Sequence, residues 1–152
     1  MCIRDRNKGN LNLLYKLVCK NIPWPLGAFN NCRSFCSIDN LCFVINELIS
    51  RPEIPTGIYN VADDDSVSTN RIIELIAFSL NRKPIILSFN KKIILFIAKV
   101  GDIIKLPLNS ERLTKLTESF MVSNLKIKTT LGKKLPLTAE EGLLKTFQSF
   151  IK

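Results

Sequence analysis

The sequence predicts a mixed α/β chain in which helices dominate. Apolar residues recur at helical spacing through most of its length, as at Leu11, Leu14, Tyr15 and Val18. Short extended stretches, bounded by proline, glycine or aspartate, separate these segments. No such stretch runs through a glycine-rich turn into a helix, so the chain carries no dinucleotide or P-loop phosphate cradle of its own. At 152 residues and 46% hydrophobic, it is long and apolar enough for a real core.

The elements follow in order. An amphipathic helix is expected from about Gly9 to Lys20. Asn21 to Gly27 is a stiff connector, because Pro23 and Pro25 fix φ and hold the residues before them extended. Arg33 to Ser37 reads as short β structure. Asp39 is the expected N-cap of a second helix with Leu41, Val44, Ile45 and Leu48 inward. Gly57 to Ala62 reads as a strand, and Asp63, Asp64 and Asp65 as a solvated turn. Ser68 caps a third helix carrying Ile72, Ile73, Ile76 and Leu80. Ile85 to Phe89 reads as another strand, and an Ile-rich helix over about 91–104 is expected to pack in the core. A further helix begins at Asn109 or Ser110. Asn124 to Leu131 is a short helix closed by Gly132. Thr138 and Glu141 form a capping box for the last helix, which carries Leu143, Leu144, Phe147 and Phe150.

Composition narrows the chemistry. There is no histidine, which removes Ser–His and Cys–His nucleophile pairs and His-ligated metal sites. Cys2, Cys19, Cys32, Cys36 and Cys42 are odd in number and irregular in spacing, unlike a zinc or redox motif. They read as reduced structural thiols, with Cys19 and Cys42 on apolar helical faces, and the protein as cytoplasmic. The aspartates at 63–65 lack the spacing of a calcium loop, so no metal is expected. Lysines, an asparagine and an aspartate interrupt the most apolar stretch, Ile85 to Leu106, so no membrane partner is expected. The net charge of +9 resides in residues 81–152, which hold fourteen basic and five acidic side chains. That half attracts anions.

Several motifs stand in a fixed order: Lys8-Gly9-Asn10-Leu11 opening a helix, Ile22-Pro-Trp-Pro-Leu-Gly27 after it, then Arg33-Ser-Phe-Cys-Ser-Ile-Asp39-Asn-Leu41. Gly57-Ile-Tyr-Asn-Val-Ala-Asp63, Val67-Ser-Thr69, Lys126-Ile-Lys-Thr-Thr-Leu-Gly132 and Glu140-Glu-Gly-Leu143 complete the series. The order resembles the C-terminal half of the extended short-chain dehydrogenases/reductases, the nucleotide-sugar epimerases and dehydratases. Within them it looks most like the bacterial branch of UDP-N-acetyl-sugar 4-epimerases and 4-ketoreductases that serves surface polysaccharide synthesis. The resemblance covers about residues 7–150.

The resemblance implies the substrate-binding portion of such an enzyme, with the Rossmann half missing. In the family that other half holds NAD or NADP and carries a Tyr-x-x-x-Lys pair, and hydride transfer at the sugar C4 takes place there. Here Tyr15 is followed at the fourth position by Cys19, and Tyr59 by Asp63, so no catalytic residue is assigned. The chain by itself is expected to bind no cofactor and to show no turnover. Residues 1–6 match nothing in the family and read as an artefactual leader. Residues 7–152 read as the nucleotide-sugar-binding domain.

The implied partner is a UDP-sugar or a similar nucleotide-sugar, with a homodimer as one assembly open to the full-length enzyme. By resemblance, the Asn10 side chain and the Leu11 N–H touch the diphosphate at a helix N-terminus; an ordinary helix start is the alternative. Trp24, Pro25, Leu26 and Gly27 would face the uracil ring with their backbone, or else pack as core. Arg33 would clamp the diphosphate through its planar guanidinium, and a solvated arginine is the alternative. Arg112 is a second clamp candidate, with Lys115 as its rival. Two other readings stay open: a small basic nucleic-acid-binding domain, which lacks any recognisable binding motif, and a truncated product without function.

Overall fold

In a computed structural model, the structure describes residues 10–104 and 110–150. The expected leader at 1–6 lies outside them. The described chain forms α1 (Asn10–Cys19), β1 (Cys32–Ser34), α2 (Ile38–Ser50), β2 (Ser66–Ser68), α3 (Thr69–Ser79), α4 (Lys91–Ile104), α5 (Ser110–Thr117), α6 (Leu125–Leu131) and α7 (Ala139–Ser149). The helix-rich α/β class is as expected. β1 and β2 pair in a two-stranded sheet. The chain divides into two units: residues 33–67 and 120–150 in one, and 10–32, 68–104 and 110–119 in the other.

The first unit is built from α2, α6 and α7. Val44, Ile127 and Leu131 form a buried cluster with Phe43, Leu48, Ile54, Tyr59, Val61 and Leu135 around it. Leu143 and Phe147 of α7 are also fully buried. Gly132 ends α6 at φ 61°, a left-handed turn that glycine adopts without a Cβ penalty. Thr138 and Glu141 close the expected capping box.

Four expectations for this unit are corrected. Ser37, not Asp39, caps α2; its side chain accepts from the Asn40 N–H, and Asp39 lies inside the first turn. Both residue types cap well, and a distant carboxylate decides between them, as shown below. Ile45 and Cys42 face solvent. Residues 57–62 form no strand. The Ile58 carbonyl accepts from Lys126 Nζ (2.9 Å) and the Ala62 carbonyl from Asn124 Nδ2 (2.8 Å), so side chains occupy positions a neighbouring strand would need. Asp63 is buried, at 4% exposure, instead of solvated.

In the second unit α1 packs on α3, and α4 on α5. Leu11, Leu14, Tyr15 and Val18 bury the stripe of α1 against a core that includes Ile72, Ile73, Ile76 and Ala77. Helices α1 and α3 end alike. Asn21 and Asn81 both adopt φ 53° just past the last turn, a conformation asparagine tolerates well. Arg82 Nη1 donates to the carbonyl of Cys19 (2.6 Å) and to Asn21 Oδ1 (3.1 Å), closing the exposed end of α1.

The expected strand at 85–89 is reduced to two isolated bridges, Trp24 with Ile86 and Leu26 with Ser88. Helix α4 has its expected bounds but is not simply core. Ile94 and Ala98 are buried, while Ile93, Leu95, Phe96 and Ile97 are exposed. No described helix is long and apolar enough to cross a membrane.

Candidate functional site

The candidate nucleotide-binding residues divide between the units. Asn10, Leu11, Trp24, Pro25, Leu26, Gly27 and Arg112 belong to one, and Arg33 to the other.

Asn10 and Leu11 open α1. The Leu11 side chain is core, at 5% exposure, so Leu11 could meet a ligand only through its backbone. An N–H in the first turn of a helix lacks an intrahelical partner, and the helix dipole there favours an anion. Arg112 lies on α5, which runs from Ser110 to Thr117.

The stretch from Trp24 to Gly27 is a clamped edge. Trp24 and Leu26 are buried side chains, and Trp24 Nε1 donates to Asn70 Oδ1 at 3.2 Å. The Trp24 N–H donates to Ile85 O (2.8 Å), and its carbonyl accepts from the Leu87 N–H (2.8 Å). The Gly27 N–H donates to Leu87 O (3.0 Å), and its carbonyl accepts from Asn70 Nδ2 (2.9 Å). These groups hold the edge to residues 85–88. A ligand would therefore meet other backbone atoms of the stretch. Gly27 is required by this approach, because a Cβ there would stand 2.7 Å from Ile86 Cγ2 and 2.9 Å from the Leu87 carbonyl.

Arg33 is half-buried on β1, and its Nε is enclosed by protein. A parallel bridge joins it to Phe120, and the Ser34 N–H donates to the Phe120 carbonyl at 2.9 Å. The guanidinium is thus carried on an anchored backbone.

A feature the sequence reading missed lies beside α2. The Asp63 carboxylate accepts from the Ser37 N–H (3.0 Å to each oxygen), from Ser37 Oγ (3.3 Å) and from Asn40 Nδ2 (2.7 Å). Asn40 is fully buried; its Nδ2 also donates to the Leu137 carbonyl (2.8 Å), and its Oδ1 accepts from the Leu137 N–H (3.0 Å). A carboxylate at the start of α2 complements the helix dipole. The knot borders a cavity of about 200 Å³ that Phe35, Cys36, Lys145 and Thr146 also line. Across it Lys145 pairs with Asp39 at 3.0 Å. Its polar groups bind one another, which makes it a structural joint. Nothing in local spacing announces it, since Asp63 and Asn40 are 23 residues apart.

Neighbouring carboxyls are tuned by similar contacts. Burial pushes Asp64 up, but hydrogen bonds from Lys128 and Asn124 and the lysine's charge outweigh it, so its pKa falls below the ordinary value. Lys133, hydrogen-bonded to Glu47, lowers that carboxyl. Among the described residues no cluster of cysteine, aspartate and glutamate could hold a metal.

A dinucleotide does not fit the described residues. The two strands are three residues long, and β2 enters α3 through Ser68 and Thr69, with no glycine where a pyrophosphate would approach.

No family model matches the sequence. The UDP-glucose 4-epimerase of Vibrio cholerae is 33% identical over 146 residues, a match that covers 95% of this chain and 43% of the relative. Among solved structures, UDP-N-acetylglucosamine 4-epimerase from Bacillus cereus superposes with a TM-score of 0.64 at 13% identity, over 100% of this chain and 45% of that one. A dTDP-glucose 4,6-dehydratase from Bacillus anthracis str. Ames, solved in complex with NAD, gives a TM-score of 0.58 at 13% identity, over 95% of this chain and 39% of that one. The chain thus spans less than half the length of each of these proteins. It belongs to the nucleotide-sugar epimerase and dehydratase family of extended short-chain dehydrogenases/reductases, and corresponds to the C-terminal portion of its members.

Proposed function

We propose that this chain forms the nucleotide-holding part of an NAD(P)-dependent nucleotide-sugar epimerase, dehydratase or reductase acting on a UDP-sugar, with surface polysaccharide synthesis as its setting. The observation that carries the reading is the identity to the Vibrio cholerae epimerase across 95% of the chain. In this reading the α1 start, at Asn10 and the Leu11 N–H, and the Arg33 and Arg112 guanidinium groups take the diphosphate. The stretch Trp24–Pro25–Leu26–Gly27 borders the base. Cofactor and proton transfer belong to protein outside this chain, and the chain's own contribution is to fix the nucleotide in position.

Three features support it. Leu11 stands in the first turn of α1, the 24–27 edge is tied to residues 85–88, and Arg33 is anchored through its neighbours. Preorganised groups lose little entropy on binding.

Thermal denaturation with UDP, uridine or inorganic pyrophosphate tests the reading. At a hundredfold excess over Kd a ligand of the native state adds about 2.7 kcal/mol, which corresponds to a rise of about 5–10 °C for a chain of this size. UDP should give that rise, uridine and pyrophosphate much less, and Arg33→Ala should abolish most of it. No rise with UDP, or a larger one with duplex DNA, would overturn the assignment.

A further inference from the structure

The second apolar side of α4 carries an inference that does not depend on nucleotide binding. Ile94 and Ala98 are the buried side of this helix, which packs on α5. Ile93, Phe96 and Ile97, spaced i, i+3, i+4, form another stripe at 55%, 68% and 46% exposure, with Leu95 at 49%. Lys92 and Lys99, seven residues apart, lie on one side of the helix, along an edge of that stripe. The residues leading into α4 continue the pattern, with Ile85, Leu87 and Phe89 also exposed. Asp102 is the single acidic residue in α4, against Lys91, Lys92 and Lys99.

We propose that α4 docks on an anionic lipid surface, with Ile93, Phe96 and Ile97 entering the headgroup boundary and Lys92 and Lys99 meeting the lipid phosphates. Charge complementarity selects this occupant. An exposed apolar stripe edged by lysines, in the half of the chain that carries the whole net charge of +9, matches an anionic interface. A second copy fits less well, because a two-fold pair would bring the same lysine edge against itself. The helix has 14 residues and is about 21 Å long, too short for a hydrocarbon core of about 30 Å, so it lies on the bilayer and does not cross it.

Co-sedimentation of the chain with vesicles of mixed phosphatidylglycerol and phosphatidylcholine, or of phosphatidylcholine alone, tests this. The chain should partition onto the anionic vesicles and far less onto the neutral ones. The double variant Phe96→Ser, Ile97→Ser should weaken partition roughly tenfold or more. Lys92→Gln and Lys99→Gln should each weaken it about fivefold. Ile49→Ser, at a still more exposed apolar position on α2, should leave it unchanged. All these side chains are exposed, so circular dichroism should show each variant folded. The proposal fails if the chain does not partition onto anionic vesicles, or if the Phe96, Ile97 double variant partitions like the parent, which would indicate nonspecific charge attraction. It also fails if light scattering shows a self-associated parent that Phe96→Ser dissociates.

Discussion

Gly142→Ala sets helix propensity against packing with opposite signs. Gly142 lies inside α7, where alanine is favoured over glycine by about 1 kcal/mol. A Cβ at 142 would stand 2.6 Å from Ser37 Cβ, a distance that requires something to shift. Ser37 has little room to retreat. Its N–H is held by both Asp63 oxygens, its carbonyl accepts from the Leu41 N–H, and its hydroxyl caps α2. Overpacking against a fixed wall costs about 1–3 kcal/mol, which outweighs the propensity gain. The expected net effect is a loss of up to about 2 kcal/mol, or up to about 8 °C in melting temperature for a chain of this size. Urea denaturation of a double-mutant cycle isolates the cause. Ser37→Gly removes the obstructing Cβ and weakens the cap by only a few tenths of a kcal/mol. In that background Gly142→Ala should become stabilising by about 0.5–1 kcal/mol. A stabilising effect in the parent, or the same effect in both backgrounds, would show that α7 does not bear on Ser37 as described.

Other expectations follow from the same contacts. Gly27→Ala places a Cβ against the Leu87 carbonyl, a backbone atom that cannot rotate away, so it should cost about 1–3 kcal/mol in urea denaturation and free residues 85–88 to hydrogen exchange. Arg82→Ala removes the donor at the end of α1 and should cost about 1–2 kcal/mol, seen as faster amide exchange at residues 19–22. The backbone N–H of Thr138, then its side chain, holds Glu141 below its ordinary value of 4.5. A carboxyl with a depressed folded pKa stabilises above its unfolded pKa and loses that contribution as pH falls through the folded value. Melting temperature should therefore drop on the acid side of about pH 4.5, and Glu141→Gln should flatten part of that drop.

What was legible in the sequence, and what was not, follows from range. The bounds of α1, α3, α4, α6 and α7 rest on apolar period, on Ser68 and Thr138 as caps and on Gly132 as a stop, all of which act within a turn or two. The start of α2 was misread because Ser37 and Asp39 are equally good caps locally. Asp63, 26 residues from Ser37, takes the Ser37 N–H and settles the choice. Residues 57–62 have strand composition, yet Lys126 and Asn124 reach their carbonyls from another segment. Helix α4 has two apolar stripes of proper helical spacing, and period alone cannot say which one faces α5. The candidate site shows the same division. Pro23 and Pro25 announce a stiff edge, but the burial of Trp24 and Leu26, and the engagement of Gly27 with residues 85–88, depend on Asn70 and on that distant segment.

The ionisable groups bear on what this portion of the family contributes. Asp63 holds Ser37 and Asn40, Asp39 holds Lys145, and Asp64 holds Lys128. Glu47 bridges Arg51 and Lys133, Arg51 also donates to the Leu131 carbonyl, and Glu141 closes the cap of α7. Each joins segments that are distant in sequence or ends a helix. A fully satisfied polar joint fixes one arrangement of the loops it ties, which is what a binding wall requires if a substrate is to be presented in one orientation. Positional accuracy is the property these joints sustain, and the nucleotide-holding role proposed above depends on it.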